Sequence, residues 1–179
     1  MKEMDVLGVR VEMPTNQPIV LLRERGGRRY LPIWVGAAEA SAIAYAQQGV
    51  VPPRPLTHDL LVNVLADLGH ELTRVRITAL RDGAFHAVLE VSGQGRGSTD
   101  VDSRSSDAIA LALRTGCPIV ATDEVLAEAG VEMDEDQVNP PADDGTTAPG
   151  ASEDVLAEFK EFLDQVSADD FGTPENPTN

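Results

Sequence analysis

Hydrophobic and polar positions alternate from the start of the chain. In Asp5–Glu12, Val6, Gly8 and Arg10 fall on one side, while Leu7, Val9, Val11 and Met13 fall on the other. A period of two predicts a strand with one buried side. The turn cluster Pro14–Pro18 separates it from a second apolar strand, Ile19–Leu22. After a Gly26-Gly27 tip the chain returns as Tyr30–Val35, where Pro32 predicts an edge or a bulge because proline cannot donate to the ladder. Beyond Gly36 the pattern turns helical. Ala37–Gln47 is rich in Ala and Ser, which allows close packing against a sheet or another helix. Thr57 then reads as the cap of a second helix, with an inward stripe of Leu61, Val64, Leu65 and Leu68 and a stop at Gly69.

Leu72–Arg81 and Ala84–Ser92 read as hairpin arms around Asp82-Gly83, a pair that tolerates positive φ. Gly93–Gly97 is a flexible connection into a strand at Thr99–Asp102. The stretch Val101–Glu124 organises the rest. It has a capped helix start at Ser103–Asp107, an apolar face of Ile109, Ala112 and Leu113, and a Gly116-Cys117-Pro118 stop. A short strand, Ile119–Ala121, follows, then a second cap at Thr122-Asp123 and a helix over about 124–128. Strands clustered in sequence argue for a single α+β domain over residues 1–131, with a mostly antiparallel or mixed sheet packed by helices. Gly130 marks its end. Residues 132–150 read as an acidic disordered linker. Residues 151–171 read as an amphipathic helix with Val155, Leu156, Phe159, Phe162, Leu163 and Val166 on one face, and 172–179 as a frayed tail.

Charge changes this picture only when it is divided. Residues 1–131 carry 13 Lys and Arg against 16 Asp and Glu, whereas residues 132–179 carry 1 against 14. The net charge of −16 therefore belongs mainly to the last 48 residues. Such acidity disfavours diffuse binding to phosphate backbones, so any nucleic-acid contact has to be local. Apolar segments fall short of the roughly 20 residues a membrane helix needs, and no signal-peptide-like run opens the chain, which predicts a cytoplasmic protein. The lone Cys117 permits no internal disulfide.

The candidate chemistry sits at the ends of elements. Asp102, Asp107 and Asp123 flank the central helix and strand, Glu39 lies near the start of the Ala-rich helix, and His58-Asp59 opens the next one. Each carboxylate reads either as an ordinary helix-end residue, favoured by the dipole, or as a ligand pointing into a shared cleft. His58-Asp59 reads either as a structural cap or as a proton-handling pair. Arg23, Arg25, Arg28 and Arg29 make the one concentrated positive patch, either a solvated hairpin tip or a phosphate-contacting loop. Zinc patterns, a P-loop, a nucleophile elbow and HExxH are absent from the sequence.

Several segments resemble the bifunctional nuclease domain family. They are LPIWVGAAEASAIA (Leu31–Ala44), RPLTHDLL (Arg54–Leu61), DSRSSDAIALALRTGCPI (Asp102–Ile119) and VATDEVLAEAG (Val120–Gly130), with FKEFLDQVSADDF (Phe159–Phe171) in the tail. The family takes its name from plant members that cleave RNA and DNA. The resemblance implies catalytic roles for His58, Asp59, Asp107 and Asp123, and Mg²⁺ or Mn²⁺ held by Glu39, Asp59, Asp102, Asp107 and Asp123. Arg54, Arg104 and Ser106 become candidate substrate contacts, joined by Arg28 and Arg29 of the basic tip. Ser105 stands where many relatives have proline, and both suit a helix start. The leading expectation is a metal-dependent nuclease acting on RNA or DNA. The alternative is a noncatalytic homo-oligomeric regulatory or interaction module, favoured by apolar helix faces that need somewhere to dock.

Overall fold

The computed structural model describes residues 1–12, 15–93 and 96–132. The linker, the 151–171 helix and the tail expected from the sequence lie outside the described residues, apart from Glu132. In chain order the elements are β1 (Lys2–Glu12), β2 (Gln17–Glu24), β3 (Arg29–Trp34), α1 (Ala37–Gln47), α2 (Thr57–Asp67), β4 (His70–Arg81), β5 (Ala84–Gly93), β6 (Arg96–Arg104), α3 (Ser105–Thr115), β7 (Ile119–Ala121), α4 (Asp123–Ala129) and β8 (Val131–Glu132). The strands form one mixed sheet in the order β6-β5-β4-β7-β1-β2-β3-β8, in which β4 and β7 are parallel and every other pair is antiparallel. This is the α+β domain that the clustering of strands predicts.

All four helices contribute to one aliphatic core. Val20, Leu22, Leu31 and Ile33 of β2 and β3, with Val75 and Ile77 of β4, meet Ile43 of α1, Ile109 and Leu111 of α3 and Leu126 of α4, all nearly inaccessible. Burying each such side chain stabilises the fold by about 1.5–3 kcal/mol. Leu21 and Tyr30 point the other way and pack with Leu7 in a small second cluster.

Leu7 departs from the alternation of β1 because the register shifts between Val6 and Gly8. Val6 and Val9 thus share the core face, and Leu7 is turned to the opposite one. A bulge of this kind reverses side-chain parity beyond it. Gly8, at φ +154°, supplies the backbone freedom.

Two turns follow the sequence closely. Asp82 and Gly83 both adopt positive φ, 50° and 77°, as the hairpin requires. Pro32 pairs with Leu21 on one side, and on the other side β8 reaches only Arg29 and Tyr30, so the missing donor faces an open edge. β8 itself extends the domain past Gly130.

Three expectations need correction. α3 starts within the expected Ser103–Asp107, but its cap position is Arg104 and no side chain bonds the free amides there. Thr57 is the first residue inside α2, whose cap position is Leu56. Most of the α2 stripe also fails to face the core: only Val62 and Leu65 pack inward, while Leu60, Leu61, Val64 and Leu68 are exposed. No residue of α2 is fully buried.

Candidate functional site

Three helices deliver their first turns to one network. Arg104 precedes α3 in extended backbone (φ −66°, ψ 146°), which leaves its long side chain free to reach across the helix start. Its Nε and Nη2 donate to Asp107 Oδ2 and Oδ1 at 2.6 and 3.0 Å. Its Nη1 lies 2.8 Å from Glu39 Oε1 in the first turn of α1. From the first turn of α2, His58 Nε2 lies 3.0 Å from Asp107 Oδ1. Glu39, Arg104, Asp107 and His58 are therefore joined, although 68 residues separate the first from the third in sequence.

The electrostatics are unequal. Burial pushes the Asp107 carboxyl upward, but hydrogen bonds from Arg104 and His58 outweigh it and hold it below the usual carboxylate range. Asp107 is thus an acceptor at neutral pH, and the hydrogen between it and His58 belongs to the imidazole. With Nε2–H directed at Asp107, Nδ1 is the nitrogen left to accept a proton. Arg104 is held above its ordinary value by Asp107 first and by Glu39. It is also the open member of the network, at 66% side-chain exposure against 15% for His58.

Asp59, the neighbour of His58, turns to the other end of α3. Its Oδ1 accepts from Arg114 Nε at 2.5 Å and its Oδ2 from the Leu56 amide at 2.9 Å. Burial raises its carboxyl, yet these two bonds bring it below the ordinary value. Arg114 Nη1 also donates to the carbonyls of Ala42 and Ala110 at 3.0 and 2.9 Å, so one side chain ties α1, α2 and α3 together. Arg114 is not among the residues expected from the sequence. Its signal was the seven-residue spacing from Asp107, which puts both on the face of α3 that α2 crosses.

The remaining candidates lie apart. Asp123 pairs with the Met1 amine at 2.8 Å, and Thr122 supplies the cap of α4 by accepting from the Val125 amide. Ala121, Ile77, Ala87 and Ser103 form one row across β7, β4, β5 and β6, so about 14 Å of sheet separates the strand residues that precede α4 and α3. Asp102 is exposed on β6, opposite Val88. Ser106 is buried beneath the first turn of α3. Arg29 pairs with the buried Glu24, which Lys2 also contacts, and Arg25 pairs with Glu3 and Asp5. Much of the basic tip is thus engaged by carboxylates of β1 and β2.

A divalent ion needs several oxygens within about 2.0–2.6 Å of one point. Among the described residues no three His, Cys, Asp or Glu side chains are grouped in that way. Between Glu39 and Asp107 the cation is the Arg104 guanidinium. As arranged, the residues expected to be ligands do not fit Mg²⁺ or Mn²⁺.

The profile of the bifunctional nuclease domain matches residues 20–134, most of the chain, and takes in every member of the network. The chain belongs to the bifunctional nuclease domain family. An uncharacterized protein of Mycobacterium tuberculosis is 50% identical over 171 residues, covering 96% of this chain and 98% of that protein. Bifunctional nuclease 1 of Arabidopsis thaliana is 31% identical over 132 residues, which cover 71% of this chain and 41% of the plant protein. Bifunctional nuclease 1 of Oryza sativa subsp. japonica is 27% identical over 130 residues, 72% of this chain and 39% of that protein. The match to these longer plant nucleases thus spans less than half of their length. No described helix is long and apolar enough to cross a membrane.

Proposed function

We propose that this bifunctional nuclease domain hydrolyses phosphodiester bonds in RNA or DNA, with His58 and Asp107 as its proton-handling pair. The observation that carries the reading is the His58–Asp107–Arg104–Glu39 network, assembled from three helix starts inside the family's domain. Asp107 holds the imidazole in the tautomer that leaves Nδ1 basic. As a water or ribose hydroxyl oxygen bonds to phosphorus, its proton passes to Nδ1. The bond from phosphorus to the leaving oxygen breaks, and the imidazolium returns a proton to that oxygen. Arg104, open to solvent and forked, is suited to the phosphate oxygens, with exposed Arg54 ahead of α2 as a further contact.

The test is cleavage of single- and double-stranded RNA and DNA by the purified full chain, with Mg²⁺, with Mn²⁺ and with chelator. His58→Asn and Asp107→Asn are run beside it. Cleavage lost in both variants supports the assignment. Cleavage retained in both removes it from this network, and the chelator arm reads metal dependence directly.

A second reading, a noncatalytic self-associating module, is favoured by one observation: α2 carries an apolar face that the described residues leave uncovered.

A further inference from the structure

We propose that the cavity between the α1–α2 loop and the end of α3 is a base-binding pocket that takes one unpaired guanine of the strand being cleaved. The strand as the source of that base rests on the nuclease reading above; the pocket rests on its own walls and floor.

The cavity is open and measures about 550 Å³. Its walls are apolar, with Val50, Val51 and Pro53 from the loop and Leu113 from α3. Its polar groups are Asp59 and Asn63 of α2 and Arg114 of α3. Apolar walls around a few polar groups suit a splayed-out base, whose faces pack while its edge is hydrogen-bonded.

The structural bonds of the Asp59–Arg114 pair leave part of it free. Arg114 has only 10% of its side chain exposed, and its Nε and Nη1 are taken by Asp59 and two carbonyls. Nη2 donates to no described residue. Among the described residues the buried side-chain nitrogen or oxygen without a partner is Arg76 Nε, so Arg114 Nη2 is not sealed from solvent. The cavity that Arg114 lines is where it opens. Asp59 is 26% exposed, and each of its oxygens accepts one bond, which leaves each able to accept another. Held below the usual carboxylate range, it stays an acceptor.

These two groups select the ligand. A simple anion is repelled by the Asp59 carboxylate, and a wholly apolar ligand strands both polar groups. What fits is a planar molecule whose edge sets two donors for the carboxylate beside an acceptor for the guanidinium. Guanine presents N1–H and N2–H next to O6. Adenine, cytosine and uracil each offer one donor group on that edge.

The placement suits a strand. Asp107 and Arg114 stand seven residues apart on α3, about 10 Å along its axis. A stacked strand covers that distance in about three nucleotides, and an extended one in fewer. Arg54 is exposed between Pro53 and Pro55, which both line the cavity, so its charge stands at the rim for the phosphate of the bound nucleotide.

The experiment is fluorescence anisotropy of the full chain with labelled oligouridylates carrying one guanosine, one adenosine, one inosine or none. Free guanosine monophosphate serves as competitor. The guanosine strand is expected to bind about tenfold tighter than the adenosine and plain uridine strands. Inosine keeps N1–H and O6 but lacks the N2 amine, and should recover part of that gain. Asp59→Asn replaces an acceptor by a donor, and Asn63→Trp fills the cavity from an exposed position. Each should erase the preference, with circular dichroism reporting the fold. Equal affinity for all four strands overturns the pocket, even where the chain cleaves them. A preference that survives both variants overturns it too, because guanine is then read elsewhere. Tight binding of guanosine monophosphate with no preference among strands overturns the strand as the source of the base. Guanosine-dependent binding without cleavage under any condition sustains the pocket and sinks the nuclease reading instead.

Discussion

Nε2 of His58 lies 3.0 Å from Oδ1 of Asp107, joining the first turns of α2 and α3 across 49 residues of sequence. The ionised carboxylate dictates which nitrogen keeps its hydrogen. Asp107→Asn keeps the size of the side chain but offers an NH₂ to Nε2, which places the hydrogen on Nδ1 and removes the base. Cleavage of RNA or DNA should fall by about 10²–10⁴ with the fold intact. Initial rates and the near-ultraviolet circular dichroism of the variant provide the check, and an unchanged rate would sink the assignment.

Asp123 gives the contrast. Its carboxylate pairs with the Met1 amine and makes no contact with the network. Asp123→Asn is expected to leave the cleavage rate within about twofold, in line with the small effects of most exposed substitutions. A loss comparable to that of Asp107→Asn would show that the two helix starts act together in a conformation other than this one.

Arg104 is shared between two carboxylates and is two-thirds exposed. Arg104→Ala should weaken binding of a labelled single-stranded oligonucleotide about tenfold and lower the salt slope of that affinity by about one unit. Fluorescence anisotropy from 50 to 300 mM salt measures both. Arg104→Lys should recover part of the affinity but not the forked contact. Equal affinity in wild type and Arg104→Ala would take Arg104 out of the substrate path.

Arg114 has a structural role. Arg114→Ala leaves the half-buried Asp59 without its partner and two carbonyls without their donor. The expected cost is about 2 kcal/mol, a fall of several degrees in Tm. Thermal melts decide it, and a Tm within a degree of wild type would mean that water replaces the guanidinium without loss.

Asp59, Asp107 and Glu24 are all held below their ordinary values. For Asp59 and Asp107 hydrogen bonds from their partners overcome burial; for Glu24 the Arg29 hydrogen bond leads. A carboxylate depressed in the folded state binds its proton more readily in the unfolded one. Its stabilisation is therefore complete above the unfolded value, about pH 4, and is lost as pH falls through the folded values. Urea unfolding should show a plateau from pH 7 down to about 5 and a decline below 4, less steep in Asp59→Asn than in wild type. A decline that begins near pH 6 would point to histidine titration instead.

The sequence by itself determined the local elements, because they obey local rules. Asp82-Gly83 dictates its hairpin, Pro32 its open edge, and Gly116, at φ 73°, the end of α3. The same rules placed Glu39, His58 and Asp107 in three first turns. Tertiary structure alone decided which of those turns meet. His58 and Asp59 are neighbours in the chain, yet one turns to the start of α3 and the other to its end, a choice made by how α2 crosses α3. Asp107 and Asp123 look equivalent in the sequence, each opening a helix. The sheet sets the strands that precede those helices three spacings apart, because β4 and β5 lie between β7 and β6. Periodicity also marked α2 as apolar without saying which side the core would take. Tertiary packing settles that question: α3 lies over β4 and β5 and α2 over β4 beside it, and α2 turns Val62 and Leu65 into that layer while Leu61, Val64 and Leu68 stay exposed.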